Sequence, residues 1–282
     1  MNKKIKQSLQ VGTALKKALA LWVWQFKDKL YVLAPIVLLQ IYAQYNILTL
    51  LGKFSSPNEP QVLGIFFKIL AWYLSSSVIL FMGFTDITRR LCGYPFEASH
   101  LGVYLNYVYW LFKKALTLLT LMMTTVIAGI LSVVAIAFVL GFVLQSIGMP
   151  LTAEPPLWLS VTLMVLGLSL SIILIAHCLL ISFPLVVDRN QGPIQALLTS
   201  FSRIKPYRHY AYQMGGLLLM IAVLPNMVMG SVATFFAVKP GMSFVHFVTP
   251  AFISTALHDL VGVFLLCLQL AVYQQLQAEK KV

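Results

Sequence analysis

From Ala115 to Leu144 the chain runs without a single Asp, Glu, Lys or Arg. A helix over that stretch would be about 45 Å long at 1.5 Å per residue, more than the roughly 30 Å hydrocarbon thickness of a bilayer. Five further apolar stretches recur along the chain, over 31–51, 62–85, 157–187, 210–238 and 247–274, separated by short segments rich in Pro, Gly, Asn or charge. Composition closes off the soluble alternative. With 60% of residues apolar and 10% charged, a water-exposed surface could not be covered by polar side chains. The expected fold is therefore all-α, a polytopic membrane protein with six transmembrane helices over 31–51, 62–85, 115–144, 157–187, 210–238 and 247–274, forming a single integral membrane domain across residues 1–282.

Three segments have a different pattern. Over 5–30, Ile5, Leu9, Leu15, Leu19, Trp22, Phe26 and Leu30 recur at helical spacing, with Lys6, Lys16, Lys17 and Lys27 turned mostly the other way. This predicts an interfacial helix whose lysines meet anionic headgroups while Trp22 and Phe26 sink into the acyl boundary. A second amphipathic segment over 96–114 places Leu101, Tyr104, Leu105, Val108, Leu111 and Phe112 on one side and closes with Lys113 and Lys114. The third follows the turn Asp188-Arg189-Asn190-Gln191-Gly192 and starts at Pro193, a residue suited to a first helical position. Its apolar stripe is Ile194, Leu197, Leu198 and Phe201, with Arg203, Lys205 and Arg208 beside it. Each segment precedes a pair of spans, which predicts a three-fold helical-hairpin repeat of about 90 residues. Units that all start on one side would be parallel, related by an axis along the membrane normal.

Orientation follows from the basic residues. Seven Lys precede the first span, Arg89, Arg90, Lys113 and Lys114 follow the second, Arg189, Arg203, Lys205 and Arg208 follow the fourth, and Lys280 and Lys281 follow the sixth. The opposite side carries only Lys53 and Lys239, and Lys68 lies within a span. The positive-inside rule then puts both termini in the cytoplasm. The net charge of +12 is thus spread over span borders, with no basic-aromatic array, so nucleic acid is not an expected partner. The expected partners are membrane lipids, through anionic headgroups at the cytoplasmic face contacted by Lys16, Lys17, Lys113, Lys114, Arg203, Lys205 and Arg208. The start of the chain lacks a compact apolar core with a small-residue cleavage site, so no removable signal peptide is expected. Cys92, Cys178 and Cys267 show no Cys-x-x-Cys or Cys/His spacing, which predicts free thiols and no metal.

Ionisable side chains inside hydrocarbon are costly and mark candidate sites. Lys68, His177, His258 and Asp259 fall within expected spans. Lys68 and Asp259 sit at similar depths in spans running the same way, and an ion pair between them is one expectation. His177, beside Cys178 without a partner at ligand spacing, reads as a helix-packing residue. No G-x-S-x-G elbow, phosphate loop, H-E-x-x-H or carboxylate pair occurs, so neither catalysis nor a cofactor is expected.

The stretch from Phe183 to Arg208, with Pro184 and Asp188 ending a span, the Gly192-Pro193 turn, and Ala196 and Ser200 in the next segment, resembles a recurrent element of the YciC-like bacterial inner-membrane proteins. The same element occurs in the related membrane domain of some glycerophosphoryl diester phosphodiesterases. The resemblance implies an all-helical inner-membrane protein. The catalytic residues of those phosphodiesterases lie in a separate soluble domain, for which six spans in 282 residues leave no room, so their activity is not expected here. The expected function is a non-catalytic role in envelope or membrane homeostasis, as a scaffold or lipid-interacting protein. A transporter or channel for a small or lipidic solute, using Gln40, Gln44, Asn46, Lys68, Asn226 and Asp259, is the alternative, and a membrane-embedded lipid enzyme the third.

Overall fold

The computed structural model describes residues 9–24, 26–53, 59–94, 96, 100–146, 157–235 and 242–279. Among these the chain is helical throughout, without strands: α1 (Val11–Val23), α2 (Phe26–Lys53), α3 (Glu59–Leu91), α4 (Leu101–Ser146), α5 (Leu157–Leu174), a π-helical turn (Ile175–Leu179), α6 (Ser182–Asp188), α7 (Pro193–Ile204), α8 (Arg208–Phe235) and α9 (Phe244–Glu279). Among the described residues, five segments are long and apolar enough to cross a membrane: Phe26–Leu51, Val62–Leu91, Leu101–Val139, Met164–Asp188 and Phe244–Ala278. The stretch expected as a span over 210–238 falls in α8, whose helical backbone continues across Pro225. Residues 1–8 and the side chain of Asn226 lie outside the described residues.

The interfacial helix expected over 5–30 is divided. Helix α1 ends at Val23, where Trp24 turns to extended backbone at φ −61° and ψ 130°. Phe26, Lys27 and Leu30 already belong to α2. The break is held by Lys29, a buried lysine whose ammonium donates to the carbonyls of Leu21 (2.8 Å), Trp22 (3.1 Å) and Trp24. The last turn of a helix leaves carbonyls without partners, and a cation there satisfies them and complements the helix dipole. Helix α1 lies on α9, burying Ala14 and Ala18 completely. Trp22, half-buried, packs edge-on against Phe264 of α9 at 6.2 Å, and Trp24 is an exposed aromatic beside it.

The second amphipathic segment is not separate either. Helix α4 runs unbroken from Leu101 to Ser146, so Leu101, Tyr104, Leu105 and Phe112 form the exposed flank of one long helix, and Tyr107, Leu111, Ala115 and Leu118 its buried flank.

The fourth expected span bends. Proline at position 184 has no N–H, and its ring would collide with the carbonyl four residues earlier, at Leu180. The helix opens there: the π-helical turn ends at Leu179, Leu180 and Ile181 form a turn, and α6 restarts with Pro184 inside its first turn, where N–H groups lack intrahelical acceptors in any case. The carbonyl of Leu179 accepts from Ser182 Oγ (3.2 Å) and from Gln269 Nε2 of α9 (3.1 Å). The carbonyl of Val186 accepts from Lys114 Nζ of α4 at 3.0 Å. After α6, the left-handed residue is Asn190 (φ 56°), and Gly192 takes extended backbone (φ −71°, ψ 168°) as the residue before Pro193.

Helix α7 then folds back onto the π-helical turn and α6. Ala196, Ser200 and Ile204 form its buried row, whereas Ile194 and Leu198 of the expected stripe are 68% and 66% exposed. Small residues at a four-residue spacing let the helix lie close to its neighbours, which leaves the larger apolar side chains outside. At Gly215 of α8 a helix backbone comes close: a Cβ there would stand 2.9 Å from both the Ile172 carbonyl oxygen and the Ala176 Cβ.

Two outcomes follow. Lys29→Met leaves the carbonyls at the end of α1 without their donor and is expected to destabilise the fold by about 1–3 kcal/mol, read as a lowered midpoint of unfolding of the detergent-purified chain. Gly215→Val meets backbone atoms that no rotamer change moves aside, so it should lower the same midpoint further than Gly216→Val, a neighbour with nothing within 4 Å of its Cβ position.

Candidate functional site

Two groups of polar residues stand out, at different places along the helices. The first is a cavity of about 250 Å³ between α2, α3 and α9, lined by Gln40 and Gln44 of α2, Tyr73, Ser76 and Ser77 of α3, and Thr255 and His258 of α9. It lies roughly 25 Å along α9 from Tyr273, at 1.5 Å per residue, well away from the basic end of the helices. Gln44 and Thr255 exchange hydrogen bonds, Nε2 to Oγ1 at 3.1 Å and Oγ1 to Oε1 at 3.3 Å. Ser76 and Ser77 both donate to the Tyr73 carbonyl at 2.9 Å. Behind this wall Asp259 is fully buried, with Oδ1 3.4 Å from His258 Nδ1 and the Gln40 amide group close to the carboxyl. Asp259 Oδ2 and Gln40 Oε1 are buried without a hydrogen-bond partner.

The structure thus brings Gln40, Gln44, His258 and Asp259 together. It does not add Lys68, which is exposed on α3 and forms no ion pair with Asp259. Asn46 donates to the Tyr42 carbonyl of its own helix. His177 belongs to a different cluster: its Nε2 is 3.3 Å from Tyr212 Oη and its ring is 5.3 Å from that of Phe201, joining the π-helical turn to α7 and α8.

The second group is at the basic end, where α3, α4, α6, α8 and α9 meet. Asp86, buried near the end of α3, accepts from Tyr107 of α4 and pairs with Arg90 Nε at 2.9 Å. The Arg89 guanidinium lies over the rings of Tyr107 (4.8 Å) and Trp110 (5.1 Å). Asp188, at the end of α6, accepts from Tyr273 Oη of α9 at 2.5 Å and pairs with Arg189 Nε at 3.4 Å. Tyr210 Oη donates to Gln275 Oε1 at 2.9 Å. Both carboxylates therefore tie one helix end to a tyrosine of another helix. Asp188 acts here as a helix-end link, the expected stop, while its tyrosine partner carries no motif. The only sequence signal for Tyr107 and Tyr273 is their place near span borders, where tyrosines concentrate for a less specific reason.

Of the basic residues expected to face headgroups, Lys16, Lys17, Lys113, Lys205 and Arg208 are exposed and Arg203 is half-buried. Lys114 is the exception: at 5% exposure it is turned inward to the Val186 carbonyl. One helical position, a rotation of about 100°, separates it from exposed Lys113. At the elbow between α7 and α8 a hollow of about 440 Å³ is lined by Leu9, Lys205, Tyr207, Arg208, His209 and Gln213, among others. A third, apolar groove of about 510 Å³ runs between α4, α5 and α8, past Met122, Val126, Ile130, Leu170, Leu174 and Leu219.

The three cysteines are free. No protein family, curated protein or solved structure matches this chain.

Cys92, just beyond α3, reports on the junction at the basic end. Burial, and then the Asp188 carboxylate, push its thiol up to about 12 from an ordinary 9.0. It stays protonated below pH 9, and the thiolate is the reactive form. In a variant with Cys178 and Cys267 replaced by Ala, maleimide labelling of Cys92 at pH 8 is expected to be about tenfold or more slower than labelling of a cysteine placed at exposed Ser202. Asp188→Asn should quicken it.

Proposed function

We propose that this chain is a non-catalytic, lipid-interacting protein of the bacterial inner membrane, acting in envelope or membrane homeostasis, with both termini in the cytoplasm. The observation that carries the reading is the elbow between α7 and α8. There, a hollow lined by Lys205, Arg208 and His209 adjoins a helix that turns Ile194, Leu198 and Phe201 outward. Exposed apolar side chains beside cationic ones suit the boundary between acyl chains and anionic headgroups. The apolar groove between α4, α5 and α8 is of a kind that takes an acyl chain. The YciC-like resemblance of the Phe183–Arg208 stretch fits the same reading.

In this reading α8 is a sixth span, and the chain comprises three units, each a lead-in segment followed by two spans: α1 with α2 and α3, the two parts of α4 with the bent helix made of α5, the π-helical turn and α6, and α7 with α8 and α9. The packing supports it. The lead-in and first helix of each unit lie against the second helix of the preceding unit, in cyclic order: α4 on α3, α7 and α8 on the π-helical turn between α5 and α6, and α1 and α2 on α9. The second helices touch one another, through the pairs α3 with α6, α6 with α9 and α3 with α9. These contacts support the reading of three parallel units related by an axis along the membrane normal. The basic hollow and the polar cavity share no lining residue, which speaks against a single channel joining them.

The test is the lipid retained by the full chain extracted from a bacterial membrane in mild detergent, quantified by native mass spectrometry. Anionic phospholipid is expected to be enriched over its share of the membrane. The triple variant Arg203→Gln, Lys205→Gln, Arg208→Gln should cut that enrichment several-fold, because each cation near an anionic surface contributes about 1 kcal/mol. Equal enrichment in variant and parent would overturn the reading.

A further inference from the structure

The cavity between α2, α3 and α9 has a chemical bias that the lipid reading does not use. Its polar wall is rich in acceptors. Ser76 and Ser77 spend their protons on the Tyr73 carbonyl, which leaves their oxygen lone pairs for the cavity. Gln40 Oε1, in a side chain only 8% exposed, has no donor at all. Behind the wall stands Asp259, fully buried, whose neighbours are His258 and Gln40 and whose Oδ2 is bare. Among the described residues no Lys or Arg forms an ion pair with it. A buried acidic side chain whose ionisable neighbour is a histidine and a buried acceptor without a donor are both costly in a membrane interior, and one ligand that is cationic and carries N–H groups would answer both.

Size narrows the class. A cavity of about 250 Å³ is far larger than a bare monovalent metal ion, and Ile47 and Leu80 supply an apolar side for a short carbon chain. Tyr73, 55% exposed, marks the rim through which the cavity opens. We infer that this cavity is a binding site for a small primary ammonium ion, held by Gln40, the Ser76 and Ser77 oxygens and His258, with Asp259 as the countercharge behind them. The same group is carried by free alkylamines and by the headgroup of an aminophospholipid.

The experiment is equilibrium binding, by titration calorimetry, to the full chain in phosphatidylcholine nanodiscs at constant ionic strength. The probes are ethylammonium and ethanolamine, with sodium, potassium and tetramethylammonium chlorides as comparisons. Saturable binding of the two primary ammonium ions is expected, with tetramethylammonium, which has charge but no N–H, weaker by about tenfold or more. Asp259→Asn and Gln40→Leu should each weaken ethylammonium by a similar factor, while Lys68→Gln leaves it unchanged. If Asp259→Asn is not monodisperse, Ser77→Val, on the cavity wall without a role in the helix junctions, reads the same loss. Nanodiscs containing phosphatidylethanolamine identify the source: competition with ethylammonium assigns the site to the lipid headgroup, and its absence assigns it to a free amine. Equal responses to all five cations, no saturable binding of any, or parental affinity in both Asp259→Asn and Gln40→Leu would overturn the inference.

Discussion

Inside hydrocarbon there is no water to satisfy a backbone carbonyl or amide, so a chain that interrupts a helix must supply partners from its own side chains. Two interruptions in this chain, at Trp24 just before the candidate span that starts at Phe26 and around Leu180 within another, are closed in that way. Lys29 reaches back to three carbonyls at the end of α1. Ser182 and Gln269 share the Leu179 carbonyl, and Lys114 takes that of Val186. The donors come from α2, α4, α6 and α9, so each break is also a joint between helices. A helix interruption and a tertiary contact are the same event here.

The bends matter because of what they allow to approach. The opening before Pro184 lets α7 return along the π-helical turn, burying Ala196 and Ser200, and lets Gly215 of α8 come close to the Ile172 carbonyl. Lipid tails are as apolar as leucine, so hydrophobic burial gives little drive for helix association, and close contact between small residues takes over. Ala14 and Ala18 do the same for α1 against α9. The large apolar side chains of α1 and α7 are left outside as a result, among them Leu19, Trp24, Ile194 and Leu198.

Hydropathy averages over windows of about 20 residues, which is why the long apolar helices were legible in the sequence and their breaks were not. The division of the 5–30 segment turns on one lysine, Lys29, that a count of basic residues cannot tell from Lys27. Lys113 and Lys114 are equally indistinct in such a count; only the rotation of α4 makes one a surface charge and the other a backbone donor. Amphipathic periodicity found α7 and its stripe of large apolar residues, which faces outward, but gave no sign that the small residues Ala196 and Ser200 do the packing. The intramembrane polar residues were legible as types. Gln40, Gln44, His258 and Asp259 converge as their chemistry suggested, whereas Lys68, on the same evidence of type and depth, points away. Depth along a span can be read from sequence, but the azimuth of a side chain around its helix cannot.

The two carboxylate environments show what that difference means physically. Asp86 and Asp188 lie at the basic end, and each has both an arginine and a tyrosine hydroxyl. Their charge is consumed in linking helix ends, so they have nothing left to offer a ligand. Asp259 is more deeply buried than either and has neither an arginine nor a tyrosine; its neighbours are His258, at 3.4 Å, and Gln40. A residue kept for packing alone would be expected to have its partners built in, as the other two have. The asymmetry therefore separates two environments within one chain: Asp86 and Asp188 join the bundle at its basic end, and Asp259 stands behind a polar cavity rich in acceptors.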